Sequence, residues 1–313
     1  MKIKFVGSVW FRALLSSTIL LVLTRQIDLQ KAGSAFLNAD NLYLIPALAL
    51  DISARIVMIL RWFLLLRASH VPITISSTTR LFLTSAFIGS ALPTGGADAA
   101  RAYGLAQHTA NPQDSIASVA VDRLLGVLAL LGLGMTGIFI WTQQTEVDLD
   151  YLNLMLVFTF VLMATLISAF WIERLLRLTL PNHWQRSQLA TSILEIGDAV
   201  GRYRGRMGTI AIVFTLSLVV QLFRVLEVYC LGEGLGIGVK FTYYLLFMPI
   251  GLLVFMLPLS IAGLGLPQGA IVWLLRPVGV PDERSFALST LFIVMGLIGS
   301  LPGLWLYLRS RWT

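Results

Sequence analysis

The sequence predicts an all-α membrane protein with several transmembrane helices, on the evidence of its composition, its long apolar runs and two breaks within such runs. Hydrophobic residues make up 57% of the 313 residues and charged residues only 12%, and the mean hydropathy is +0.82. A soluble domain carries about twice that share of charge. The apolar runs reach the roughly 20 residues that a helix needs to cross the hydrocarbon core, which excludes a barrel of short alternating strands.

Six of the apolar runs are long enough to cross the membrane completely. They lie near residues 5–23, 42–66, 117–141, 152–172, 208–231 and 286–308. The first run lacks a small-residue cleavage site after it, so we expect a retained anchor and not a removed signal peptide. The whole chain, residues 1–313, is then a single transmembrane domain.

Two further apolar stretches, 81–106 and 242–276, are interrupted by proline and glycine. The breaks read Leu-Pro-Thr-Gly-Gly at 92–96 and Leu-Pro-Leu-Ser-Ile-Ala-Gly-Leu-Gly at 257–265. An interrupted helix exposes backbone N–H and C=O groups that lipid cannot satisfy, so it persists only beside protein or a water-filled cavity. We therefore expect two re-entrant broken-helix hairpins, a feature typical of transport sites.

The spacing of the breaks predicts an internal duplication. Pro93 and Pro258 lie 165 residues apart, and the same shift moves the spans that flank the first break close to those that flank the second. This indicates inverted repeats at 42–141 and 208–308, each a span, a broken hairpin and a span, with opposite orientations in the membrane. Chance similarity among apolar segments of similar length is the alternative.

Charged residues in the connections predict the orientation, because positive residues accumulate on the cytoplasmic side of membrane proteins. The connection after residue 172 is rich in arginine: Arg174, Arg177, Arg186, Arg202, Arg204 and Arg206. The connection 143–150 instead holds three acidic residues and no Lys or Arg. Lysines precede the first run and arginines follow the last, so we expect both termini to be cytoplasmic.

Ionisable residues within the apolar runs are candidate ligand-binding residues, because a charge inside the bilayer costs at least about 2.5–3.5 kcal/mol unless it is paired or hydrated. Asp51 and Arg55 lie at i and i+4 on one helix face and are expected to neutralise each other. Arg61 has no carboxylate at that spacing in its own helix. It therefore either extends to the headgroups or faces a cavity and binds a lipid phosphate.

Four charged residues flank the first break: Asp98, Arg101, Asp122 and Arg123. A half-helix that begins after Gly95 and Gly96 presents free N–H groups and a positive dipole end at membrane depth, which suits a phosphate or carboxylate ligand. In one interpretation the two arginines lie near that ligand. In the other, Asp98 caps the half-helix and the arginines pair with the two aspartates.

A further pair, Arg224 and Glu227, lies at i and i+3 in the span 208–231. We expect a static ion pair, with proton binding by Glu227 as the alternative. The second break contributes Gly263 and Gly265, which supply backbone groups and mobility but little charge.

The sequence carries no signature of an enzyme, a metal site or a bound cofactor. The three histidines lie in predicted connections without the spacing of metal ligands, and no phosphate-binding loop G-x-x-x-x-G-K-S/T is present. Cys230 is the only cysteine, so no internal disulfide forms. The net charge of +7 is explained by cytoplasmic loops, and no basic patch with interleaved aromatics indicates nucleic acid.

Three motifs carry a resemblance to a known family. They are Leu-Pro-Thr-Gly-Gly-Ala-Asp-Ala-Ala-Arg at 92–101, Asp-Arg-Leu-Leu-Gly at 122–126, and Pro258 with Gly-Leu-Gly at 263–265. This pattern resembles the transmembrane region of lysylphosphatidylglycerol synthases and related stand-alone flippase-like membrane proteins. The resemblance covers nearly all of the chain and implies that the charged residues of the first two motifs line the path of a lipid headgroup.

Two departures from that family limit what the resemblance implies. The synthases carry a soluble aminoacyltransferase domain after the membrane region, whereas this sequence ends at Thr313, so we expect no transfer of lysine to lipid. In relatives the third motif often continues into an acidic residue, whereas here it continues into Leu-Pro-Gln at 266–268. An ion-coupling role for that acidic residue is therefore not expected.

The predicted function is flippase-like movement of a polar lipid, anionic or with a modified headgroup, between the leaflets of a bacterial-type inner membrane, without enzyme activity. One alternative is a non-transporting membrane partner that docks a glycosyltransferase or a lipid-modifying enzyme through the basic connection 174–206. Another is a membrane enzyme that acts on lipid directly, with Asp98 or Asp122 as acid or base. The sequence indicates no oligomeric state.

Overall fold

The computed structural model of the protein describes residues 29–91, 95–109, 112–143, 188–256 and 265–309, together with isolated positions between 153 and 174. Of these described residues 89% are helical and none lies in a strand. The predicted all-α fold class is confirmed for this part of the chain.

Ten α-helices lie within the continuous ranges of described residues. In chain order they are α1 (Leu29–Leu37), α2 (Asn41–Ala68), α3 (Ile75–Ala91), α4 (Gly96–Ala106), α5 (Pro112–Thr142), α6 (Gln188–Gly201), α7 (Met207–Gly234), α8 (Phe241–Met256), α9 (Leu266–Leu275) and α10 (Asp282–Arg309). A 3₁₀ turn, Arg202–Arg206, joins α6 to α7, and a second, Arg276–Val278, follows α9.

Four helical stretches of the described residues are long and apolar enough to cross a membrane. They are α2, α5, α10 and the continuous stretch Leu194–Gly234, which ends with α7. They coincide with four of the six predicted spans, and they make this an integral membrane protein. The predicted span 5–23 lies outside the described residues, and so does 152–172 apart from its isolated helical positions.

The predicted breaks do interrupt the helices, one between α3 and α4 and the other between α8 and α9. Gly95 and Gly265 each come directly before the second helix of a pair, with φ of 94° and 93°, values that glycine adopts far more readily than other residues. The two helices of each pair pack against each other. The remaining break residues, 92–94 and 257–264 with Gly263, lie outside the described residues.

Helices α2 and α7 pack against each other along their lengths and run antiparallel. At one end, the N–H of Asp40, the residue before α2, donates to the carbonyl of Gly234, the last residue of α7. Further along α2, Arg61 Nη1 lies 2.9 Å from Ser217 Oγ. These contacts pair the start of one helix with the end of the other.

The remaining helix contacts follow a regular pattern. Helix α5 packs against α8, and α10 packs against α3. Helix α6 packs against α5, and α1 packs against α10. Exchanging the helices that lie five places apart in the chain, such as α1 with α6, α3 with α8 and α5 with α10, turns the first contact of each pair into the second. Helices α1–α5 and α6–α10 therefore have matching neighbours.

Glycine allows two of these matching contacts to be very close. A side chain added at Gly137 of α5 would collide with the backbone carbonyl of Leu245 in α8, and one added at Gly303 of α10 would collide with the carbonyl of Leu83 in α3. Pro249 has no N–H to donate to the carbonyl of Leu245 one turn earlier. The approach of Gly137 therefore covers a carbonyl that its own helix leaves without its usual donor.

We predict that Gly137→Val lowers the free energy of unfolding by about 1–3 kcal/mol, because the added side chain forces α5 and α8 apart. The matched control is Gly132→Val in the same helix, where an added Cβ meets no atom within 4 Å. Thermal unfolding of the purified protein in detergent, followed by circular dichroism, measures both. Equal melting temperatures for the two variants would show that the close approach of α5 to α8 is not required.

Candidate functional site

A cavity of about 300 Å³ lies within the helix bundle, bounded by α2, α3, α4, α5, α7 and α8. Its charged lining consists of Asp51, Arg55, Arg61, Asp98, Arg101, Asp122, Arg123 and Arg224. Seven of the eight are residues that the sequence predicts for the site, and the eighth, Asp51, is predicted as the partner of Arg55. They come from four different helices. The five arginines outnumber the three aspartates, so the lining carries a net positive charge.

The Asp122 carboxylate joins two helices to α5 at the inner wall of the cavity. Arg61 Nε lies 2.6 Å from Asp122 Oδ1, and Arg101 Nη1 lies 3.2 Å from Oδ2. Asp122 is 1% exposed, so the low dielectric strengthens these ion pairs but makes the loss of any partner costly. Arg61 is thus paired within the protein and does not extend to the headgroups.

Asp98, in the first turn of α4, accepts from two arginines. Arg101 Nη2 lies 2.9 Å from its Oδ1, and Arg123 Nε donates to its Oδ2. The N-cap of α4 is Gly95, which makes no side-chain capping bond, so Asp98 acts as a partner of the arginines. A carboxylate in the first turn is also favoured by the helix dipole.

Arg101 and Arg123, the two partners of Asp98, differ in how far they are exposed. Arg101 is 4% exposed, and its guanidinium lies 5.0 Å from the ring centre of Trp62 and 5.5 Å from that of Phe82. Two aspartates and two aromatic rings hold it in place. The side chain of Arg123 is 38% exposed, so it is the more accessible of the two to a ligand.

Asp51 and Arg55 form the predicted pair, with Arg55 Nε 2.7 Å from Asp51 Oδ2. Arg55 Nη2 also donates to the carbonyl of Gly296 in α10, 2.6 Å away. A side chain at Gly299 would collide with the Asp51 carboxylate, so α10 lies directly against this pair. Arg55 is therefore anchored between two helices.

Arg224 and Glu227 do not form the ion pair that the sequence predicts, since their charged atoms are not within 4.0 Å of each other. Arg224 lines the cavity and extends toward α2, where Nη2 lies 3.8 Å from Met58 Sδ. Glu227 is 1% exposed, and no hydrogen-bond partner of its Oε1 lies in the described part of the chain. The spacing i, i+3 permits a pair, but the long arginine side chain points into the cavity instead.

Of the glycines predicted for the site, Gly95, Gly96 and Gly265 are described and are not part of the cavity lining, while Gly263 lies outside the described residues. Gly95 and Gly96 lie next to the cavity, because Ala97 and Asp98 follow them and do line it. Gly265 directly precedes α9, and its N–H donates to Oε1 of the Gln268 side chain, 2.5 Å away.

Two polar residues beside the charged lining of the cavity were not predicted from the sequence. Ser217 and Gln221 are buried in α7; Ser217 accepts from Arg61, and Gln221 Nε2 donates to the carbonyl of Gly126, 3.0 Å away. Gln221 also lines the cavity. Ser217, Gln221 and Arg224 are spaced by four and three residues, so they form a polar stripe on one face of an apolar helix. That periodicity was the signal that could have found them.

The fold and this site define a class: a polytopic α-helical membrane protein with a positively charged cavity between its helices. The sequence matches the family described as "Lysylphosphatidylglycerol synthase TM region" over residues 9–303, and the protein belongs to that family. It is also similar to the UPF0104 membrane protein MJ1595 of Methanocaldococcus jannaschii. The two are 23% identical over 308 residues, which cover 93% of this chain and 91% of the relative. The predicted family is confirmed.

We predict that Asp122→Asn lowers the free energy of unfolding by about 3 kcal/mol or more, because Arg61 and Arg101 then share a buried site without their common counter-charge. Asp114→Asn is the control in the same helix. Its partner Arg202 is 59% exposed, so the change costs about 1 kcal/mol or less. Thermal unfolding in detergent compares them, and equal effects would contradict a structural role for Asp122.

Proposed function

We propose that the protein moves a polar lipid with an anionic headgroup between the leaflets of a bacterial-type inner membrane, without making or breaking covalent bonds. The observation that carries this proposal is that two arginines of the cavity are available to a ligand. Arg224 has no carboxylate within 4.0 Å among the described residues, and the side chain of Arg123 is partly exposed. Guanidinium groups bind phosphate by paired, charge-assisted hydrogen bonds. The family name, which refers to the transmembrane region of a lipid synthase, supports a role in lipid handling.

Flipping must avoid moving a charged headgroup through hydrocarbon, which costs many kcal/mol without compensation. The cavity offers a polar environment between the membrane-spanning helices. One of its walls is apolar and consists of Leu252, Phe255 and Met256 of α8. A headgroup bound at the arginines would leave its acyl tails beside this wall. The protein then replaces the hydration of the headgroup while the tails stay in an apolar environment.

A two-fold inverted architecture fits this role, because two equivalent halves can open alternately to either side. The antiparallel packing of α2 with α7 and the matching contacts of α1–α5 and α6–α10 support the inverted repeats 42–141 and 208–308. The two interrupted helix pairs are proposed to re-enter the membrane between six full spans. Cytoplasmic termini complete the proposed topology.

The docking alternative depends on a free basic connection, and contacts within the protein weaken it. Arg202 pairs with Asp114, and Arg206 Nη2 lies 2.6 Å from His70 Nε2. Co-purification of a glycosyltransferase or lipid-modifying enzyme, without translocation by the purified protein, would favour docking. A lipid enzyme is also less well supported, because Asp98 and Asp122 are both paired with arginines.

We predict that Arg224→Gln and Arg123→Gln each slow lipid translocation by about tenfold or more, because each removes a charge-assisted contact to the headgroup. The assay uses proteoliposomes with fluorescently labelled phosphatidylglycerol, phosphatidylserine or phosphatidylethanolamine and an impermeant quencher. Arg67→Gln is the control, since this exposed arginine lies in the last turn of α2 and is not part of the cavity lining. Unchanged rates in folded Arg224 and Arg123 variants, or no movement of any lipid by the wild type, would overturn the proposal.

A further inference from the structure

Glu227 is a buried carboxyl group that the proposed site does not use. It lies one helical turn after Arg224, is 1% exposed and has an Oε1 without a hydrogen-bond partner among the described residues. An ionised carboxylate left unpaired in a bilayer interior is costly, and binding a proton removes that cost. This geometry suits a carboxyl group that is neutral when Arg224 faces the cavity.

The surrounding charges leave Arg224 as the natural partner of an ionised Glu227. Asp51 and Arg55 of α2 face Glu227, but they are already paired with each other. Helix α8 has no Asp, Glu, Lys, Arg or His, and α10 carries such residues only near its two ends. On α5 the nearby charges are Asp122 and Arg123, which are engaged in the cavity network. On α7 itself, Cys230 and Glu233 follow Glu227.

We propose that Glu227 is a proton-binding site whose protonation frees Arg224 to bind the phosphate of an anionic lipid in the cavity. This inference rests on the proposed function and adds a regulatory proton to it. An ionised Glu227 attracts the guanidinium three residues earlier and competes with the ligand. A protonated Glu227 has no charge with which to compete, so the arginine remains in the cavity, as it does in this structure.

Proton binding and lipid binding then favour each other, by the same factor in both directions. The exchange is balanced: one carboxylate oxygen gains one proton, and one phosphate oxygen replaces the carboxylate at the guanidinium. As the pH rises and Glu227 loses its proton, the affinity for lipid falls, by up to about tenfold per pH unit for a single coupled proton. As the pH falls, the affinity rises until Glu227 is fully protonated.

The test is isothermal titration calorimetry of the full-length protein in detergent with dihexanoyl-phosphatidylglycerol, between about pH 6 and 9. Titration in two buffers of different ionisation enthalpy gives the number of protons taken up with each lipid. We expect an uptake approaching one proton for the wild type in the upper part of this range. We expect no uptake and pH-independent affinity for Glu227→Gln, which copies the neutral acid.

Control variants separate coupling from a structural effect. Glu233→Gln removes a carboxylate from the same helix outside the cavity and should behave as the wild type. At high pH, Glu227→Gln should bind the lipid about tenfold or more tightly than the wild type, a gain that damage to the fold would not produce. The proton uptake of the wild type needs no variant, so the test stands even if Glu227→Gln unfolds.

The outcomes distinguish the two proposals. Lipid binding by the wild type without proton uptake and without pH dependence would overturn the role of Glu227 and leave the lipid site intact. The same proton uptake in Glu227→Gln as in the wild type would also overturn it. If no anionic lipid binds at any pH, the proposed function itself fails, and the proton site fails with it.

Discussion

Two arginines from different helices, Arg61 of α2 and Arg101 of α4, converge on the Asp122 carboxylate of α5 in the interior of the bundle. Buried ions of this kind are tolerated only when each has a partner, because the bilayer core offers no water to replace one. The pairing therefore requires the three helices to be present together. The pairing also fixes the position of α4. The first turn of α4 carries Asp98, which pairs with Arg123 of α5 at the cavity.

The packing of the helices is regular, but the charge within it is not. The contacts of α1–α5 have counterparts in α6–α10, and glycine permits a close approach at corresponding places in both. Seven of the eight charged lining residues nevertheless come from α2, α4 and α5, while α7 supplies Arg224 and α8 supplies an apolar wall. The first set of helices thus provides most of the charged lining of the cavity, and the second provides one cation and an apolar surface.

Much of this could be predicted from the sequence, because hydropathy and proline–glycine breaks act locally. The positions of four long helices, the interruptions near Gly95 and Gly265, and the pair Asp51–Arg55 follow from spacing along a single helix. The partner of Arg61 could not be predicted in this way, since Asp122 lies on another helix and only tertiary packing brings them together. Arg224 shows the opposite kind of error. Its helical spacing from Glu227 predicts an ion pair, but the tertiary structure does not form it.

Pro249 divides α8 into two parts with different mechanical roles. The first part is held against α5, where Gly137 covers the carbonyl that the proline leaves without its usual donor. The second part carries Leu252, Phe255 and Met256, which form the apolar wall of the cavity. Because one rung of the hydrogen-bond ladder is missing between them, this wall is attached to its anchor through the most pliable point of the helix. We therefore expect that bending of α8 at this one residue would change the width of the cavity.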